Sequence, residues 1–222
     1  GGKIELKHDF WVHDESLVWQ WDRVLRFKSG QEIILFDGNG NDKLYKITSI
    51  SSKEVHLNLI TEFEPKIPRN HVYLFWSLLK SPKNDQVITK CTELGVTNFV
   101  PIITDRSLKN GFDLAKSEKL AIEASEKCGR STIPHIREPI DIDQLLEEYN
   151  DEMRLLVCHF GHSDFKEVKK DEKIGIIVGP EGGFTDEEVT KLVAGGASIL
   201  ELGQMTLNAE TASIVASSRL LV

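Results

Sequence analysis

The spacing of apolar residues divides the chain into a β-rich first part and a second part of alternating strands and helices. In the first part, apolar residues recur at helical spacing over 14–27, and Gly30 ends that segment. Three predicted strands follow, at 32–36, 44–50 and 55–59. Asp37-Gly-Asn-Gly40 is a turn between the first two. Short strands at this spacing predict a small barrel or curled sheet.

The second part follows a stretch at 61–70 whose two prolines and mixed charges are typical of a linker. Its predicted strands cover 72–76, 99–103, 155–158, 174–178 and 198–202. Its predicted helices cover 82–94, 117–128, 141–149, 185–194 and 208–221. This alternation predicts a mainly parallel sheet with helices on both faces. We therefore expect a β domain over 1–66 and an α/β domain over 70–222.

The most informative segment lies where the strand ending at Val178 gives way to a helix. The strand is apolar on both faces, which indicates full burial. Gly-Pro-Glu-Gly-Gly follows at 179–183, and Thr185 with Glu188 forms a capping box at the helix start. Glycines let a backbone approach another group closely. The turn either binds a small ligand or simply connects two elements.

Two further turns follow predicted strands. One is 202–212, which leads into the last helix, and the other is 158–161. The carboxyl ends of parallel strands share one edge of a sheet, so these turns could line one pocket. A pocket rich in backbone groups suits an adenosine-type ligand. Neither a P-loop nor a GxGxxG fingerprint is present, which excludes the commonest nucleotide sites.

The composition argues against several other classes of protein. The chain has 222 residues, no apolar run of membrane-spanning length and no signal-peptide pattern, so no membrane partner is expected. Its three scattered cysteines are typical of reduced thiols in a cytoplasmic protein. Cys158, His159 and His162 lack a fourth zinc ligand, so no metal is expected. The start at Gly1-Gly2 instead of methionine is typical of an expression remnant and leaves the native N-terminus open.

The charge pattern bears on a nucleic-acid partner. The formal net charge of -8 argues against one. However, residues 80–137 contain ten Lys and Arg against seven Asp and Glu, whereas residues 138–222 contain seven against seventeen. One face could therefore be basic, or these blocks could merely solvate helices.

Short motifs spread in order over nearly the whole chain. They are Val24-Leu-Arg26, Leu35-Phe-Asp-Gly38, Lys90-Cys-Thr-Glu-Leu-Gly-Val96, Asp105-Arg-Ser107, Glu123-Ala-Ser-Glu-Lys-Cys-Gly-Arg130, Ile133-Pro134, Gly179-Pro-Glu-Gly-Gly-Phe184 and Leu202-Gly203 with Glu210-Thr-Ala212. Together they resemble the bacterial 16S rRNA uracil-N3 methyltransferase family of the SPOUT superfamily. The resemblance implies an N-terminal PUA-like RNA-binding domain and a C-terminal α/β domain tied in a trefoil knot. It also implies S-adenosylmethionine as cofactor, 16S rRNA of the small ribosomal subunit as substrate, and a homodimer.

The resemblance also implies roles for single residues. Expected cofactor-binding residues are Gly179, Pro180, Glu181, Gly182, Leu202, Gly203 and Leu207. Expected catalytic residues are Arg130, Glu210 and Asn208, and expected RNA-binding residues are Arg26, Arg106 and Arg130. Each charged residue has a structural alternative. Arg130 could interact with the dipole at a helix C-terminus, and Glu210 could interact with the dipole at a helix N-terminus. Arg106 could pair with Asp105 or with a partner subunit, and Glu181 could accept bonds within its own turn.

The chain departs from the family in two places. Met205 and Asn208 stand where arginines are usual, and Trp19-Gln20 stands where a His-His pair is usual. These departures keep two other hypotheses open. One is a related SPOUT enzyme that methylates ribose 2′-OH or another base, and the other is an RNA-binding protein that holds the cofactor without catalysis. The target uridine and the general base are not identified by the sequence.

Overall fold

The computed structural model describes residues 5–161, 168–169 and 171–221. The chain forms two compact units. The first contains Gly1–Ile67 and Gly129–Thr132, and the second contains Pro68–Cys128 and Ile133–Val222. Within the described ranges, no helix is both long and apolar enough to cross a membrane.

The first unit is built on a four-stranded antiparallel sheet, in the order β1-β4-β3-β2. Its elements are β1 (Asp9–Val12), α1 (Glu15–Trp19), a π-helical turn (Gln20–Val24), β2 (Glu32–Phe36), β3 (Asp42–Ile50) and β4 (Val55–Phe63). Strand β4 is longer than predicted, because Thr61–Phe63 pair with Asp42–Leu44 of β3. These three residues therefore belong to the sheet and not to the predicted linker.

The core of the first unit follows the alternation of β3 and β4. Tyr45, Ile47, Val55 and Leu57 are fully buried, as strict period-two patterning requires of residues that share one face. The helical segment adds Val18 and Trp21 to this core.

A short distant segment, Gly129–Thr132, belongs to this first unit. The Ser131 hydroxyl donates to Asp42 Oδ2 at 2.6 Å and accepts from the Lys66 amide at 2.7 Å. The Ser131 carbonyl accepts from the Gly40 amide at 2.9 Å. The segment is thus held by backbone and side-chain bonds at the turn that joins β2 to β3.

The second unit is a parallel sheet in the order β11-β9-β10-β5-β6-β7, with β8 also paired to β6. Its strands are β5 (His71–Ser77), β6 (Asn98–Ile103), β7 (His135–Ile136), β8 (Ile140–Asp141), β9 (Arg154–Cys158), β10 (Lys173–Val178) and β11 (Ser198–Leu200). Its helices are α2 (Ser81–Leu94), α3 (Leu114–Cys128), α4 (Ile142–Tyr149), α5 (Asp186–Ala194) and α6 (Ala209–Leu221). Every pairing in this sheet is parallel, which confirms the predicted α/β class.

Both faces of this sheet are covered. On β10, Ile174, Ile176 and Val178 join one apolar cluster, whereas Ile177 joins the other. The sequence of β10 is apolar throughout because both faces of the strand pack against a core. The carboxyl ends of β5, β6, β9, β10 and β11 meet at one edge of the sheet, and the turns of interest leave from this edge.

Candidate functional site

The turn after β10 is closed by its own glycines and by a buried ring. The Gly183 amide donates to the Pro180 carbonyl at 2.9 Å, and Gly183 has a φ of 68°. A Cβ at Gly179 would lie 3.0 Å from the ring of Phe184, which is buried in the core. Both glycines are therefore required by the backbone path of this turn.

Glu188 fixes the end of the same turn. It completes the predicted capping box, since its amide donates to Thr185 Oγ1 at 3.2 Å and its Oε2 accepts from the Thr185 amide at 2.8 Å. Its other oxygen accepts from the Asp105 amide at 2.8 Å. This buried carboxylate thus joins the start of α5 to the loop that follows β6.

Arg106 holds the turn from the same loop. One guanidinium nitrogen donates to the Gly182 carbonyl at 2.8 Å and lies 3.5 Å from the Phe184 carbonyl. Arg106 therefore has a structural contact with the turn after β10, a partner that sequence reasoning did not anticipate. Its predicted contact with RNA stays a prediction.

The turn after β11 has an open backbone. Gly203 has a φ of 138°, and a Cβ placed there would meet nothing within 4 Å. Leu202 and Leu207 are partly buried against the core, whereas Met205 is 78% exposed. Asn208 precedes α6, and its carbonyl accepts from the Ala212 amide at 2.8 Å. The turn therefore offers main-chain groups beside two apolar side chains.

Lys83 connects both turns, and the sequence analysis missed it. It lies in the first turn of α2, after β5. Its ammonium lies 3.1 Å from Glu210 Oε1 and also pairs with Glu181. The hydrogen bond to Glu181, followed by that to Glu210, raises the pKa of Lys83, and Lys83 lowers the pKa of Glu181. Glu181 and Glu210 are thereby brought together at one sheet edge.

A signal for Lys83 was present in the sequence. The helix that contains it follows a predicted strand, as do the two glycine-rich turns, so parallel topology alone places all three starts at one edge. Which side chains would meet there depends on contacts over about a hundred residues of sequence, such as Lys83 to Glu181.

The third predicted turn lies beside β11. A Cβ at Gly161 would be 3.3 Å from Ile199. The Cys158 thiol packs against the apolar cluster, and burial raises its pKa to about 12. His162 lies outside the described residues. In the described part of the chain, no group of three or more His, Cys, Asp or Glu side chains could hold a metal ion.

Two predicted functional arginines belong to the first unit. Arg26 is exposed and has a φ of 54°, a conformation that non-glycine residues rarely adopt. Arg130 is 8% exposed, and its guanidinium donates to Thr132 Oγ1 at 3.2 Å. Their predicted roles toward RNA stay predictions.

Family comparison agrees with this arrangement. Residues 65–221 match the model of an RNA methyltransferase domain, and residues 23–60 match that of an RNA methyltransferase PUA domain. The chain belongs to this RNA methyltransferase family. The PUA match confirms the predicted PUA-like character of the first unit, and the other match covers the second unit's sheet and helices.

Individual members of the family are similar over nearly the whole chain. Ribosomal RNA small subunit methyltransferase E of Rickettsia conorii is 30% identical over 96% of this chain and 87% of that protein. The protein of the same name from Aquifex aeolicus is 31% identical over 86% of each. A crystal structure of the Neisseria gonorrhoeae methyltransferase E bound to S-adenosylmethionine has a TM-score of 0.88 and 25% identity, over 98% of this chain and 93% of that one.

Proposed function

We propose that this RNA methyltransferase transfers the methyl group of S-adenosylmethionine to N3 of a uridine in 16S rRNA of the small ribosomal subunit. The observation that carries the proposal is the meeting of the turns after β10 and β11, whose carboxylates Glu181 and Glu210 share Lys83. The names of the relatives support rRNA of the small subunit as the substrate. Such a substrate implies a cytoplasmic protein.

The residues at this edge fit an adenosyl ligand. Gly203 leaves its backbone open, and Leu202 and Leu207 supply apolar surface next to it. Gly179, Pro180, Glu181 and Gly182 would contribute main-chain groups from the other turn. These residues would hold S-adenosylmethionine, the ligand bound in the crystal structure of the Neisseria gonorrhoeae relative.

The chemistry required of the chain is mainly positioning. The bound cofactor supplies a methyl group already activated on a sulfonium, so no protein nucleophile is needed. The residues of the two turns must hold it in line with the acceptor nitrogen. Uracil N3 carries a proton, so a nearby group must accept this proton or stabilise the uracil anion.

We place the group that accepts the N3 proton or stabilises the uracil anion at the start of α6. Glu210 lies in its first turn with its carboxylate paired to Lys83, and Asn208 immediately precedes the helix. Arg130 is proposed to stabilise the uracil anion. N3 lies on the Watson–Crick edge, so the uridine must be unpaired or extruded.

The remaining features of the proposal concern the roles of the two domains and the oligomeric state. We propose that residues 1–66 bind RNA, with Arg26 as a contact, and that residues 70–222 form the catalytic domain, with Arg106 as an RNA contact. We further propose that this catalytic domain contains the trefoil knot of the SPOUT superfamily and forms the homodimer.

The experiment is methylation of small ribosomal subunits that lack the modification. The protein is incubated with these subunits and isotopically labelled S-adenosylmethionine, and the rRNA nucleosides are separated by mass spectrometry. We expect labelled 3-methyluridine at one position. Label on a ribose 2′-oxygen or on another base would contradict the assignment.

A second candidate is a protein that binds cofactor and RNA without catalysis. It is favoured by one observation, the presence of Met205 and Asn208 where the family usually has arginines. Calorimetry that shows cofactor binding, together with no methyl incorporation into any tested subunit, would support this candidate.

A further inference from the structure

Lys83 contacts both proposed cofactor turns. Its ammonium pairs with Glu181 in the turn after β10 and with Glu210 at the start of α6. The lysine itself comes from the start of α2, after β5. One side chain therefore joins three strand ends of the parallel sheet.

The backbone that carries Lys83 is firmly held. Its neighbour Asn84 is buried, and the side-chain oxygen Oδ1 of Asn84 accepts from Trp76 Nε1 at 3.0 Å and from the Leu79 backbone amide at 3.1 Å. The side-chain nitrogen Nδ2 of Asn84 donates to the Leu79 backbone carbonyl at 2.7 Å. The Asn84 side chain therefore ties the start of α2 to the end of β5 and to the connection between them. This fixes the backbone from which the Lys83 side chain extends.

The two carboxylates need a cation between them. The Glu210 side chain is only 12% exposed, whereas that of Glu181 is 56% exposed. In addition, Glu210 Oε2 is buried and has no hydrogen-bond partner within the described residues. Without Lys83, a largely buried carboxylate would face a second carboxylate, and their repulsion would move the turns apart.

We infer that Lys83 is a positioning residue that sets the spacing of the two turns, and through it the affinity for S-adenosylmethionine. This inference rests on the proposed function. Lys83 acts through Glu181 and Glu210 and not on the reacting atoms, so its loss weakens cofactor binding and changes the methyl-transfer step only through the proposed role of Glu210.

The test compares three variants of the full-length protein. Lys83→Met removes the ammonium and keeps the length of the side chain, and Lys83→Arg keeps a positive charge. Lys119→Met is the matched control, because Lys119 also lies on a helix of this unit but is 78% exposed and pairs with its neighbour Glu123 at 4.0 Å. Cofactor affinity is measured by calorimetry, and KM and kcat are measured with small ribosomal subunits.

We expect Lys83→Met to weaken cofactor binding by about tenfold or more. KM for the cofactor should rise in parallel, whereas KM for the subunits should change little. A decrease in kcat should accompany the loss of cofactor affinity, because Lys83 also pairs with Glu210. Lys83→Arg should recover part of the affinity, and Lys119→Met should match the wild-type protein. Glu181→Gln removes the exposed partner of Lys83 without leaving a buried charge, so it should weaken cofactor binding as well. If Lys83→Met does not fold, Glu181→Gln serves as the test of the inference.

Two results would overturn the inference. One is wild-type cofactor affinity in Lys83→Met, or in Glu181→Gln where that variant is used instead. The other is a loss confined to kcat, which would place Lys83 in the chemical step. If the wild-type protein binds no S-adenosylmethionine, the proposed function fails and the inference fails with it, whereas equal binding by wild type and variant rejects the inference alone.

Discussion

Gly179 shows how closely the turn after β10 is packed. A Cβ at this position would lie 3.0 Å from two carbons of the Phe184 ring, and Phe184 is buried in the core. The ring has little room to retreat, because protein interiors are close-packed. The geometry of the proposed cofactor turn therefore depends on the absence of one methyl group.

The first prediction concerns Gly179→Ala. We expect the added methyl group to displace the ring or the turn, to lower the free energy of unfolding by about 1–3 kcal/mol, and to weaken cofactor binding severalfold. Thermal unfolding and calorimetry measure the two effects. Gly111→Ala is the control, since Gly111 has a φ of 89° but nothing within 4 Å of its Cβ position, so it tests backbone strain without crowding. Unchanged cofactor affinity in Gly179→Ala would contradict the role of this turn.

Single residues were predictable where their partners are close in sequence. Thr185 and Glu188 are three positions apart, and their capping box is present as predicted. The contact of Glu188 with the Asp105 amide was not predictable, because it spans 83 positions. The same applies to Arg106, whose bond to the Gly182 carbonyl depends on β6 and β10 ending at one edge of the sheet.

At the scale of elements, Glu188 joins two loops that leave different strands. Its carboxylate accepts from the amides of Thr185 and Asp105, both at 2.8 Å, and the residue is buried. Loss of the carboxylate would leave two amides without this partner and would loosen both the start of α5 and the loop after β6.

We therefore predict that Glu188→Ala lowers the free energy of unfolding by about 2–4 kcal/mol. Chemical denaturation followed by circular dichroism measures this change. Glu187→Ala is a matched control, because Glu187 lies in the same first turn of α5 but is exposed. It removes the same charge from the helix N-terminus without removing the bonds. Equal losses in the two variants would show that charge alone matters and would contradict the account.

The elements that the sequence predicted less well are short or locally irregular. The segment at 14–27 was predicted as one helix, whereas the structure has a five-residue α1 capped by Asp14, a π-helical turn and Arg26 with positive φ. Helical periodicity does not distinguish α from π spacing over so few residues. Strand β7 has only two residues, and it forms through pairing with β6, which no local pattern encodes.

At the scale of the molecule, the pattern of strands and helices was sufficient to predict a β part followed by a parallel α/β part. It could not place Gly129–Thr132, which belongs with the first unit although it lies beyond sixty residues of the second. Ser131 explains the difference, since its bonds to Asp42 and Lys66 arise only after the chain has folded back. Sequence spacing contains no information on such a return.

The central claim is that the turns after β10 and β11 form one site for S-adenosylmethionine. Hydrogen–deuterium exchange of the full-length protein, with and without the cofactor, tests it most directly, because exchange slows where a ligand holds the backbone. We predict slower exchange at 179–185 and at 202–210 together, and little change in the strands of the first unit. Cofactor binding that leaves both turns unprotected and slows exchange elsewhere would contradict the account.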